Sequence, residues 1–280
     1  MKKYLLGSLI AVAALGTLAL QSCNRDKWEQ TDSDVAGDNS LTEATENDLF
    51  KQSDEAATVG TVSFKDNDGQ SVNGPCATVT HDSASNPRKV TIDFGTSNCV
   101  GQDSKSRRGK IIVTYTGRYR DAGTVITITT QDYFVNDNKV ELTKTITNNG
   151  VNASGQPSWS IEVKNGKITL ANNGGEVTWN TNRTRLMTAG YNTPKILIDD
   201  KYEISGSGGG VNAKGISYTV AITTPINVDF SCLQSRMVKG VIEFTRTGKA
   251  ARILDFGNGS CDDQATITVG KTTKTITLKR

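Results

Sequence analysis

The single histidine of this chain, His81, lies in His81-Asp82-Ser83-Ala84-Ser85-Asn86-Pro87, which sets the three residue types of a Ser-His-Asp relay side by side. Such a relay needs its groups brought together from separate parts of a rigid scaffold. A Ser- and Pro-rich turn does not supply that, and the segment reads as a hairpin turn with a solvent-facing histidine. Two carboxylates recur in matching contexts: Asp93 in Asp93-Phe94-Gly95 before Cys99, and Asp255 in Asp255-Phe256-Gly257 before Cys261. Two carboxylates held about 5–10 Å apart across a cleft hydrolyse glycosidic bonds. The same position in a repeated unit reads more simply as the end of a strand and the turn after it. Asp66-Asn67-Asp68-Gly69 lacks the remaining oxygen ligands and the distal Glu of an EF-hand loop, and reads as a turn. Asp199-Asp200 and Asp262-Asp263 are the other acidic pairs that could offer oxygens to calcium. Gly206-Ser207-Gly208-Gly209-Gly210 is followed by no Lys-Ser/Thr, so it is expected to be a flexible turn rather than a phosphate loop. No catalytic residue, metal ligand or cofactor is assigned from these motifs. Trp179 and Tyr191 are expected to be exposed aromatics for sugar stacking. Arg183 and Arg185 are expected beside them as hydrogen-bond donors to a glycan or other polyanion.

The five cysteines are more informative. Lys2 and Lys3, the apolar run Tyr4–Ala19 and small Ser22 lead to Cys23, in the order of a secretory signal. The run is shorter than the roughly 20 residues of a membrane span. Leu20-Gln21-Ser22-Cys23 resembles the acylation motif of bacterial lipoproteins, which implies cleavage after residue 22 and lipidation of Cys23. The expected location is then the bacterial cell envelope, at the outer membrane, with the lipid as membrane anchor. Four cysteines remain in an oxidising compartment, which reads as two disulfides. Three connectivities are open in principle; Cys76–Cys99 and Cys232–Cys261 are favoured, because each pair brackets a strand hairpin.

Charge divides the mature chain. Residues 24–57 carry ten acidic and three basic side chains (net −7), and residues 58–280 carry 27 basic and 19 acidic (net +8). Residues 23–39 are almost free of apolar side chains and read as a disordered acidic tether. Ser40-Leu41-Thr42-Glu43 fits a capping box, so a short helix is expected over 40–57. The basic run Lys105–Lys110 reads as strand-edge charge. With charge this dispersed, no nucleic-acid partner is expected.

From about residue 58 the pattern has period 2, as in Ile111/Val113/Tyr115, Trp159/Ile161/Val163 and Tyr218/Val220/Ile222. An all-β body over 58–280 follows, an antiparallel sandwich or stacked meander with one short N-terminal helix. Asn165-Gly166 is the strongest two-residue hairpin signal. Three motifs recur: Asp-Phe-Gly-x-x-x-Cys, Gly109–Gly117 against Gly240–Gly248, and Gly150-Val151-Asn152-Ala153 against Gly210-Val211-Asn212-Ala213. They indicate a degenerate strand unit used more than once.

Four segments together, Ile92-Asp93-Phe94-Gly95 with Cys99, Arg108–Val113, Asn182-Arg183-Thr184-Arg185 and Asp255–Asp262, resemble a family of uncharacterised secreted lipoproteins of Bacteroidota. The resemblance spans nearly the whole chain and implies an envelope lipoprotein, with no activity to transfer. The function expected is non-catalytic: structural, adhesive or ligand-binding. The alternative is a carboxylate-based carbohydrate-active enzyme.

Overall fold

The computed structural model describes residues 27–58 and 77–279, apart from 102, 119, 195 and 233–236. The signal segment, Cys23, Asp66–Gly69 and Cys76 lie outside the described residues. Among the described residues one helix, α1 (Gln30–Thr58), precedes fourteen strands. These are β1 (Thr78–Asp82), β2 (Arg88–Asp93), β3 (Cys99–Val100), β4 (Ser106–Tyr115), β5 (Val125–Val135), β6 (Asn138–Val151) and β7 (Pro157–Thr169). They continue as β8 (Glu176–Ala189), β9 (Lys201–Val211), β10 (Ser217–Asp229), β11 (Met237–Arg246), β12 (Arg252–Asn258), β13 (Gln264–Val269) and β14 (Thr272–Thr277). Every pairing is antiparallel between chain neighbours, except that β3 pairs only with β4 and β2 lies directly beside β4. The protein is all-β with one N-terminal helix, and the sheet is a single continuous meander rather than two stacked layers.

The helix is longer than the sequence pattern suggests, and it is buried. Residues 30–39, expected as tether, form its first turns, and Val35, Ala36, Asp38, Asn39 and Ser40 are all buried. Lys51 to Ala56 are six consecutive buried residues. At 100° per residue they cover the whole helix circumference, so the sheet curls round the helix on every side. The N-terminus is set by Glu29, whose N–H donates to the Asp32 carboxylate at 2.8 Å, one half of a capping box. The Ser40–Glu43 pattern that suggested a start falls mid-helix.

From β4 to β13 the strands present a buried row to the interior and a more exposed row to solvent. In β6 the inward row is Val140, Leu142, Lys144, Ile146 and Asn148, and the outward row includes Thr143, Thr145 and Thr147. Phe50 of α1 anchors the apolar layer, meeting Trp159 and Tyr202 edge-on at centroid distances of 5.8 and 5.7 Å. Outward positions join across strands into a polar row, Thr114–Thr127–Thr145–Glu162–Asn182–Ser207. A lipid-embedded barrel carries an apolar outer band instead.

Two expected turns are strand. Asn165-Gly166 lies inside β7, where Asn165 takes φ 52° and the register against β8 shifts between Val163 and Gly166. The bulge places Gly166 under the Trp179 indole, where a Cβ would come within 2.5 Å of the ring. Gly206–Gly210 is the second half of β9, with Gly208 opposite Thr181 and Gly210 opposite Trp179. A Cβ on residue 210 would stand 1.9 Å from the Thr178 carbonyl oxygen, so the strands approach there only because the side chain is missing.

The recurrent motifs are repeated structure. Asp93 Oδ1 accepts the Gly95 N–H and Asp255 Oδ1 accepts the Gly257 N–H, each at 2.9 Å, while Phe94 and Phe256 turn into the core. Asp93 is the partner of Lys110, just past Gly109, and Asp255 is the partner of Val241, just past Gly240. The same two-strand unit therefore occurs twice, with the order of its strands reversed along the chain. The Asn152 and Asn212 turns also match: each side-chain oxygen accepts the N–H groups two and four residues on. Cys232 and Cys261 are joined across the β11–β12 hairpin, and Cys99 is also disulfide-bonded.

Candidate functional site

The densest chemistry in the molecule lies between α1 and the inner face of the sheet. Period 2 places Val177, Trp179, Thr181, Arg183, Arg185 and Met187 of β8 on one inward row, all buried. Glu46 of α1 is its centre. One carboxylate oxygen accepts from Trp179 Nε1 at 2.8 Å and from Thr181 Oγ1 at 3.0 Å, and Lys144 Nζ donates to the Glu46 carbonyl at 2.9 Å. Arg183 pairs with Glu43, and Arg185 donates to Asn47 with its guanidinium 4.1 Å from the Phe50 ring centroid.

Towards the C-terminal half of the helix, Arg107 bridges Asp48 and Asp103. Burial opposes ionisation of Asp103, and the Arg107 hydrogen bonds outweigh it, leaving the carboxyl below its usual range. Towards the N-terminus, Arg246 and Arg252 meet Asp32 at 2.6 and 2.8 Å. Lys249 and Arg246 hydrogen-bond Glu29 and pull its carboxyl down to about 2. Lys144 is fully enclosed, and burial lowers its ammonium to about 8 against the pull of Glu46.

One group of carboxyls is held in the opposite sense. Asp54, near the end of α1, and Asp200, just before β9, are both buried. Asp200 accepts from Tyr202 OH at 2.8 Å, and Asp54 pairs with Arg120 at 3.0 Å. Burial pushes Asp200 up to about 7 and raises Asp54 as well. Asp54 lies close to the negative end of the α1 dipole, which disfavours a carboxylate, and the last turn of the helix holds no basic residue to offset it.

These positions correct the expected ligand site. Trp179, Arg183 and Arg185 face inward and serve the helix, because cations are needed opposite its carboxylates. Tyr191 alone of the four is on the surface, 38 % exposed in the β8–β9 connection. The missed partners, Glu43, Glu46 and Asp48, lie in the segment assigned to the short helix. The signals that mark them are the opposite net charges of the two parts of the chain and the shared parity of 179, 181, 183 and 185.

The other candidates are local. His81 is exposed in β1, and Asp82 Oδ1 accepts the Ala84 and Ser85 N–H groups, closing the turn. Asp262 accepts the Gln264 N–H, and Asp199 accepts from Thr193 Oγ1. Among the described residues no group of three or more His, Cys, Asp or Glu is arranged to hold a metal.

On the outside, a shallow depression of about 500 Å³ crosses β6–β9, lined by Thr145, Thr147, Ser160, Glu162, Asn182, Thr184 and Ser207. Its floor is low at Gly206, which has φ 123° and where a Cβ would stand 2.2 Å from the Asn182 carbonyl oxygen. Hydroxyl and carboxamide groups dominate, with one carboxylate, Glu162, 3.0 Å from Lys164 Nζ. The arrangement can exchange hydrogen bonds with a polyhydroxylated ligand; its lining offers no aromatic platform, and its one cationic residue, Arg183, has its side chain buried against Glu43. No protein-family model, curated protein or solved structure matches this chain.

Proposed function

We propose that the protein is an envelope lipoprotein, anchored through acylated Cys23, that acts as a non-catalytic binding module. The observation that carries this reading is the filled interior. The charged residues suited to chemistry are spent on the protein's own helix, and the accessible polar groups stand on the outer face of a rigid sheet. The ligand class that suits the β6–β9 depression is a neutral or amine-bearing glycan segment. Its hydroxyls would meet Thr145, Ser160, Asn182 and Thr184, and Glu162 disfavours a polyanion. The outer-membrane location and the likeness to secreted lipoproteins of Bacteroidota belong to the same proposal.

The test is affinity electrophoresis of the protein through gels containing neutral, amino and acidic polysaccharides, with reducing-end release assayed in parallel. Retardation by a neutral or amino polymer is expected, weakened at least tenfold in Glu162→Ala/Asn182→Ala at unchanged melting temperature. Retardation only by acidic polymers, or accumulation of reducing ends, would refute it.

A further inference from the structure

The length of chain between Cys23 and the helix decides how far the body can stand from the bilayer. With 30–39 taken into α1, five residue steps lead from Cys23 to Trp28, at most about 18 Å when fully extended. Trp28 is already held by the body: Lys274 Nζ of β14 lies 3.6 Å from its ring centroid, and the Lys27 carbonyl accepts from Arg252 at 3.3 Å. Lys249 of the β11–β12 turn pairs with Glu29 beside it, and Lys271 occupies the adjoining β13–β14 turn. Lys27, Lys271 and Lys274 are exposed. Among the described residues, the acids at this end are engaged: Glu29 by Lys249 and Arg246, Asp32 by Arg246 and Arg252, and Asp34 by Lys214, and exposed Lys27, Lys271 and Lys274 leave the local surface positive.

Strand direction fixes the rest of the geometry. Along β14 the chain passes from Trp28 (at Lys274) to Asp38 (at Lys279). The β9–β10, β11–β12 and β13–β14 turns therefore surround the N-terminus of α1, and the β8–β9 and β10–β11 connections lie at the far end. Lys214 of the β9–β10 turn meets Asp34 at 2.7 Å, consistent with that placement.

We propose that the end marked by Lys27, Trp28, Lys249, Lys271 and Lys274 is a docking surface for anionic lipid headgroups, on which the body rests with its far end turned away from the bilayer. The inference rests on the acylation of Cys23 in the reading above. Basic side chains next to a bilayer are drawn to acidic lipids, and a tryptophan suits the interface.

The experiment is amine acetylation of the full-length lipidated protein, read lysine by lysine by mass spectrometry. It is run in detergent, in phosphatidylcholine vesicles, and in vesicles with 30 mol % phosphatidylglycerol. Lys201, 54 % exposed at the far-end start of β9, is the internal reference. Lys271 and Lys274 are expected to react at least fivefold more slowly relative to Lys201 on the acidic vesicles than in detergent, and less protected on phosphatidylcholine. Equal protection on both vesicles would overturn the anionic headgroup as partner. An acylated, vesicle-bound protein whose Lys271 and Lys274 react as in detergent would overturn the docking surface while leaving the anchor standing. Absence of acyl mass together with failure to float with vesicles would overturn the anchor and this proposal together.

Discussion

Replacing Asp200 by Asn should stabilise the protein at neutral and alkaline pH. In the folded state burial holds the Asp200 carboxyl at about 7 against an ordinary 3.8. The native protein thus keeps a proton that the unfolded chain releases between those two values. Stability falls as pH rises through that window and is flat, at its lowest, above it. At 1.36 kcal/mol per pH unit, a displacement of about three units corresponds to about 4 kcal/mol. Relaxation around the Arg120 side of the cluster reduces this, and about 2–3 kcal/mol is the expected gain for Asp200→Asn at pH 8. The amide keeps an acceptor for Tyr202 OH and adds no volume, so packing is not the variable. The assay is urea unfolding followed by tryptophan fluorescence, since Trp159 and Trp179 are both buried, at half-unit steps from pH 4.5 to 8.5. Wild type should lose stability up to about pH 7 and then level off, and the variant should be flatter and the more stable of the two above neutrality. Parallel curves, or a variant less stable at pH 8, would refute the assignment of a strained carboxyl to position 200. Glu29, held at about 2, contributes in the opposite sense but only at lower pH.

Glu46→Ala leaves Lys144 buried without its carboxylate and strips the acceptor from Trp179 and Thr181; a loss of about 3–5 kcal/mol is expected from the same unfolding experiment. Gly166→Ala drives a methyl into the Trp179 ring and should cost about 1–3 kcal/mol, with a change in the near-UV circular dichroism of the indole. Cys232→Ser/Cys261→Ser opens a link between residues 29 apart in sequence. The chain-entropy relation puts that loss at about 3–4 kcal/mol, read as a drop in urea midpoint with a steeper slope, because the freed unfolded chain expands.

The meander was legible because each strand carries its own alternation, and the Asp-Phe-Gly and Asn152/Asn212 turns are local hydrogen-bond devices that a short motif can encode. The helix was not, because its partners lie far along the chain. A segment with eight acidic and one basic side chain and no continuous apolar stripe reads as solvated, since period 3.6 is the signal sought. Its burial is decided by Arg107, Lys144, Arg183, Arg246 and Arg252. Asn165-Gly166 and Gly206–Gly210 misled for a related reason. Their conformational freedom serves a bulge beneath Trp179 and a close strand approach, and a local reading assigns the same freedom to a turn. Trp179, Arg183 and Arg185 were singled out as residues that bind something polar; the partner is the chain's own helix.

An inner wall with this many cations has a consequence for assembly. Emptied of the helix, the wall would hold Arg107, Lys144, Arg183, Arg246 and Arg252 without the carboxylates that α1 supplies, and it could not collapse on itself as an apolar sheet does. The helix is the counterion of the sheet. It also precedes the strands in the chain, so each newly emerging hairpin meets its charge partner already present, and the contact of Lys279 with Asp38 forms only when the last strand has been made.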